Sequence, residues 1–145
     1  MVASKSGITI RRIVRANQNT LNDINVLLCQ WKKDAGITPS YFALFIKKSY
    51  LIGLFDGSQL VGMVTLVPAF KVSGRKGFVE HLIVDEKYRG RHLGQALMQQ
   101  AIKLAKSLDM DTLFLTCEPE RIGAAALYKK LGFEIKQINF YALRI

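Results

Sequence analysis

The chain has 145 residues, half of them hydrophobic, and a formal net charge of +10. That length bounds it to one domain, residues 1–145, with apolar material for a single core. No apolar run nears the roughly 20 residues of a membrane helix, and the opening MVASKSGITIRR lacks the apolar stretch of a secretory signal, so a soluble, cytoplasmic protein without membrane association is expected.

Ile8 to Val14 alternates around Arg11 and Arg12 and predicts a first strand. Asn19 to Ala35 predicts a helix, because Leu21, Ile24, Leu28 and Trp31 fall at helical spacing and Gly36 supplies a stop. Pro39 opens a second helix through Phe42, Phe45 and Ile46. Tyr50 to Phe55 and Leu60 to Val67 form a hairpin around Asp56-Gly57-Ser58. Ala69 to Lys76 reads as a polar, basic loop, and Gly77 to Val84 as a strand. A helix follows from about Leu93 to Leu108, with Leu93, Leu97, Ala101, Leu104 and Leu108 on one face. Thr112 to Cys117 is a strand, Pro119 to Leu131 a helix, and Phe133 to Ile145 one or two strands. The order β-α-α-β-β-β-α-β-α-β-(β) predicts an α/β fold with a mixed sheet, its parallel pair joined by a crossover helix. Cys29 and Cys117 have neither metal-ligand spacing nor a CxxC pairing, so each reads as a small buried apolar residue and no metal site is expected.

The most informative stretch runs from Glu80 to Leu97. A hydrophobic strand enters a short turn rich in Arg and Gly, and the turn opens straight into an amphipathic helix. A helix start offers free N–H groups and about half a positive charge. Gly90 and Gly94 allow close backbone approach, while Arg89 and Arg91 add charge, so the residues predict an anion or diphosphate site. The spacing matches neither G-x-G-x-x-G nor a Walker loop. The bland alternative is a tight strand-to-helix turn with exposed arginines.

Arg89-Gly90-Arg91-His92-Leu93-Gly94 resembles the pyrophosphate-binding motif of the GNAT superfamily of N-acetyltransferases. Glu80 to Val84 is similar to that family's fourth strand. Ala124-Ala125-Ala126-Leu127-Tyr128-Lys129-Lys130-Leu131-Gly132-Phe133 is similar to its Ala-x-x-Leu-Tyr-x-Lys-x-Gly-Phe signature. The chain departs from the family pattern at His92, where the first motif glycine usually stands, and at Arg121, where many members carry asparagine. A side chain at residue 92 is tolerated if φ is negative.

The resemblance implies a V-shaped splay between the fourth and fifth strands and direct attack of an amine on the thioester of acetyl-CoA. The backbone of Leu82, Ile83 and Val84 would hold the pantetheine arm. The turn of Arg89, Gly90, Arg91, His92, Leu93 and Gly94 would take the diphosphate, with Arg121 nearby. A backbone N–H near Leu82 would polarise the carbonyl. Glu80 is the expected base: alternation puts it on the face of Phe78, Leu82 and Val84, whose apolar character suits it to hold a proton. His81 then points to the other face as a structural residue. Tyr128 is the expected acid for the leaving thiolate, ahead of Gly132 as helix cap.

The family resemblance assigns the acceptor side to the first two helices. Residues 1–76 hold 11 Lys+Arg against 3 Asp+Glu, whereas residues 77–145 hold 10 against 8. Such a basic half disfavours a polycationic acceptor and suits a small-molecule or protein amine carried on an anionic body, including an aminoacyl-tRNA. No RNA-recognition or helix-turn-helix signature is present, so nucleic acid has no motif behind it. The aromatic residues of the first two helices read as core. The resemblance also allows a homodimer, and an acyl-CoA sensor that binds without transfer is the alternative reading.

Overall fold

Apolar residues alternate through Ile8–Ile13, and in a computed structural model describing residues 2–3, 7–15 and 17–145 they form strand β2. A short strand β1, Val2–Ala3, pairs antiparallel with it. Helices α1 (Gln18–Trp31) and α2 (Pro39–Lys48) follow. Asn17 and Thr38 cap them, each side chain accepting a backbone N–H three residues on. Strands β3 (Tyr50–Asp56), β4 (Gln59–Lys71) and β5 (Gly74–Val84) come next, then a 3₁₀ turn at Glu86–Tyr88. Helix α3 (Leu93–Ser107), strand β6 (Thr112–Phe114) and helix α4 (Ile122–Lys130) complete the order.

The sheet runs β1-β2-β3-β4-β5-β6, antiparallel until β6 joins β5 in parallel. With β1 added at the start, the fourth and fifth strands of the sequence pattern are β5 and β6. Their pairing covers only Lys76–Thr112, Gly77–Leu113 and Phe78–Phe114. β5 then continues to Val84 while β6 ends at Phe114, so the two strands part. This is the expected splay.

The sheet buries both faces. On one, Leu54, Val64, Leu66 and Val79 pack with Leu97, Met98 and Ala101 of α3 and Tyr128 of α4. On the other, Leu51, Met63 and Ile83 pack with Leu27 and Leu28 of α1 and Phe42 of α2. No helix among the described residues is long and apolar enough to cross a membrane.

Four local expectations change. Residues 69–76 are not a loop. Ala69, Phe70 and Lys71 pair with Lys76, Arg75 and Gly74, and the hairpin turns at Val72-Ser73. Polar composition here marks an exposed hairpin tip, braced by the ion pair of Lys76 with Asp111. Helix α1 ends at Trp31 rather than Ala35. Asn25 holds the following segment back, accepting from the Ile37 N–H (2.8 Å) and donating to the Ile37 carbonyl (3.3 Å). Residues 134–145 pair with no strand, and Ile135, Phe140, Tyr141 and Leu143 are exposed. Cys29 is exposed, not buried, and its thiol donates to the Ala35 carbonyl; Cys117 is half-buried.

Candidate active site

The turn between β5 and α3 is built from its anchors inward. Asp85 donates its backbone N–H to the Val61 carbonyl at 2.8 Å. Gln30 of α1 bonds the Asp85 carboxylate and the Glu86 N–H. The Tyr88 hydroxyl donates to Asp56 at 2.6 Å, and that bond raises the phenol above its ordinary range. Arg89 turns its Nε onto the Val84 carbonyl at 3.0 Å, and the Arg91 guanidinium lies over the Tyr88 ring. Gly90 (φ +76) has open space where a side chain would stand, so the backbone is approachable there.

His92 does not meet the condition of a negative φ. It sits at φ +57 as the residue before α3 and lends no side-chain cap. The left-handed region costs a side-chain-bearing residue roughly 1–2 kcal/mol. Replacing His92 with glycine removes that cost, partly offset by a freer unfolded chain. Chemical denaturation of His92→Gly is expected to give about 0.5 kcal/mol more stability. The N–H groups of Leu93, Gly94 and Gln95 open α3 without intrahelical partners, as in any helix. Beside this first turn stands α4: a side chain added at Gly94 would meet Leu127 at 3.9 Å and Val84 at 4.0 Å.

Tyr128 lies at the far end of α4. The Gly132 N–H donates to the Lys129 carbonyl and the Phe133 N–H to the Tyr128 carbonyl, both at 3.0 Å. Gly132 takes φ +94, and the Tyr128 and Phe133 rings meet edge to face. This is a Schellman ending, and it fixes the tyrosine in the core at 8% exposure. Burial pushes the Tyr128 phenol above its usual value, Arg121 pulls it down, and Cys117 pushes it up. Arg121 is the exposed residue preceding α4, with its carbonyl bonded to the Ala125 N–H.

Glu80 requires a correction. β5 carries a bulge: Thr65 pairs with Glu80 and Met63 with Ile83, so Val64 alone faces His81 and Leu82. The bulge shifts the alternation by one residue. Leu82 and Val84 pack on the α3 face, while Glu80 lies across from Thr65 on the α1 face and so shares no face with them. His81 does not point away from it. Held at φ +51, it turns toward α1 and meets the Trp31 ring edge-on at 5.2 Å.

His81 and Thr65 floor a cavity of about 530 Å³ between α1, α2 and the sheet. Trp31, Tyr41, Phe42 and Phe45 line it, so these aromatics are not solely core. The sequence pattern singled out neither Thr65 nor this cavity, and it set His81 on the opposite face as a structural residue. The available signal was the adjacent polar pair Glu80-His81, which interrupts the alternation of an otherwise apolar strand.

The described residues place a turn with free N–H groups beside α4 and its buried phenol on one face of the sheet, and the Glu80 carboxylate on the other, with the parted edge of β5 between them. A helix start of this kind can take an anion. Comparison with known proteins identifies the family. Residues 21–133 match the acetyltransferase (GNAT) family profile. An uncharacterized N-acetyltransferase of Methanocaldococcus jannaschii is 38% identical over 60 residues, covering 41% of this chain and 26% of that protein. N-acetyltransferase 8B of Rattus norvegicus is 32% identical over 81 residues, covering 54% of this chain and 36% of that protein. The chain therefore spans well under half the length of these relatives. A putative acetyltransferase from Agrobacterium tumefaciens shares the fold with a TM-score of 0.82 at 18% identity, covering 94% of this chain and 99% of that one.

Proposed function

Because the chain belongs to the acetyltransferase (GNAT) family, we propose that it transfers an acetyl group from acetyl-CoA to a primary amine. The observation that carries this reading is the parting of β5 from β6 after Phe78 and Phe114, next to the turn that opens α3. Acetyl-CoA supplies the acyl group as an activated thioester. No strand among the described residues pairs with the outer edge of β5 at Leu82, Ile83 and Val84, where Arg89 takes only the Val84 carbonyl; this edge suits the amide-bearing arm of acetyl-CoA, since an extended amide chain bonds a sheet edge as a strand does. The backbone from Arg89 to Gly94, with the Arg89 and Arg91 charges, suits its diphosphate. Arg121, exposed at the start of α4, adds a cation whose charge reaches Tyr128.

Glu80 receives the proton that the amine must lose before its lone pair can attack. The amine nitrogen bonds the acyl carbon as the carbon–sulfur bond breaks. A backbone N–H beside Leu82 steadies the oxygen charge that develops. Tyr128 gives its phenolic proton to the departing sulfur, and burial keeps that proton in place until then. The cavity over Thr65 and His81 receives the acceptor.

Calorimetric titration with acetyl-CoA and then CoA tests the donor. Both are expected to bind saturably, and thiol release is then expected to require an added amine. Glu80→Gln should lower that release about 10²-fold and leave CoA binding intact. Failure of acetyl-CoA to bind would overturn the reading.

A further inference from the structure

Thr65 is the buried polar residue of the described core, at 4% exposure. Its hydroxyl donates to the Glu80 carbonyl at 2.9 Å, so the lone pairs on that oxygen remain as acceptors. They stand at the floor of the α1–α2 cavity, directly across from Glu80. Above this floor the walls turn apolar: Leu28, Phe42, Phe45, Met63, Ile37 and the Trp31 ring. At the rim stand Lys32, Lys33 and one carboxylate, Asp34.

Resting on the acetyl-transfer reading above, we infer that the acceptor is a primary amine whose neighbouring carbon carries a bulky apolar side chain. The amine sits on Thr65 beside Glu80, and the side chain fills the cavity between α1 and α2. Two arguments fix this class. A hydrocarbon group gains by leaving water for such walls, whereas a second ammonium would lose its hydration with nothing anionic on the walls to replace it. The rim adds two cations to one anion, which disfavours a polycation and tolerates a carboxylate or peptide carbonyl beyond the amine. The volume of about 530 Å³ exceeds a single side chain and suits a ligand of one to two residues. The shared chemistry is an α-amine beside an apolar side chain, from either a free amino acid or a peptide N-terminus.

Trp31 is the single tryptophan of the chain and lines the cavity, so its fluorescence reads occupancy without turnover. The protein, alone and with CoA, would be titrated with leucinamide, phenylalaninamide, glycinamide and spermidine. Leucinamide and phenylalaninamide are expected to change the emission at concentrations about 10- to 100-fold below glycinamide. Phenylalanine and a phenylalanine-first tetrapeptide, run alongside, separate the two sources. Ala35→Phe, which fills the cavity, is expected to weaken leucinamide at least tenfold while thermal unfolding stays two-state. Glycinamide or spermidine binding as tightly as leucinamide would overturn the inference. So would leucinamide binding unchanged in a folded Ala35→Phe protein. Apolar-amine binding without thiol release would leave the cavity's selectivity standing and overturn the transfer reaction instead.

Discussion

Replacing Tyr128 with phenylalanine is expected to lower turnover by about 10²- to 10⁴-fold, the range that one positioned proton donor supplies, with CoA affinity within a few-fold of the parent. The substitution keeps the ring that meets Phe133 and the backbone bonds of the α4 ending, so the fold should survive. Calorimetry with CoA and a thiol-release assay on the same preparation separate the two effects. The stability of the variant carries its own signature. The folded protein holds the phenol above its ordinary value of about 10. That contribution is therefore fully present below pH 10 and is lost as pH rises through the folded value. The parent should lose stability in strong alkali faster than Tyr128→Phe. Equal turnover in the two proteins would remove Tyr128 from the chemistry.

Leu97→Ala carries the largest expected loss of stability. Leu97 is fully buried on α3, in the core shared by Leu54, Leu66 and Tyr128. Cutting a buried leucine to alanine removes its transfer free energy and leaves a void, about 2–5 kcal/mol in total. At this chain length each kcal/mol corresponds to roughly 3 °C, so the melting temperature should fall by about 10 °C. α3 begins at the turn proposed to hold the diphosphate, and CoA affinity should weaken in step. A loss under 1 kcal/mol would mean that the neighbouring side chains close the gap.

The sequence read well where one signal ran long. Leu93, Leu97, Ala101 and Leu104 hold helical phase over about three turns, and α3 spans Leu93–Ser107 as that phase requires. Pro39 placed the start of α2. The Arg–Gly turn and the Leu-Tyr-x-Lys-x-Gly-Phe run pointed to the family without geometry. What escaped were features fixed by distant partners. The bulge opposite Val64 reversed the phase of β5, and a period of two cannot register its own slip. Asn25 reaches twelve residues ahead to Ile37, and only the folded loop reveals why α1 stops at Trp31. The polar run from Arg75 to Lys76 resembles a loop until Asp111 stands against it. Residues 134–145 pair with no strand, although β6 stands at the edge of the sheet; apolar content alone does not make a strand.

Three residue pairs tie β6 to β5, whereas β5 and β4 pair along almost their full length. Mechanically the sheet is a broad rigid plate with one lightly stitched flap. The flap carries the route to Cys117 and α4, and with α4 it carries Tyr128. Widening the wedge between β5 and β6 would break only those three pairs and none of the antiparallel ones. The proposed proton donor follows the flap in the chain but is anchored in the α3-side core, and the proposed base stands on the plate itself.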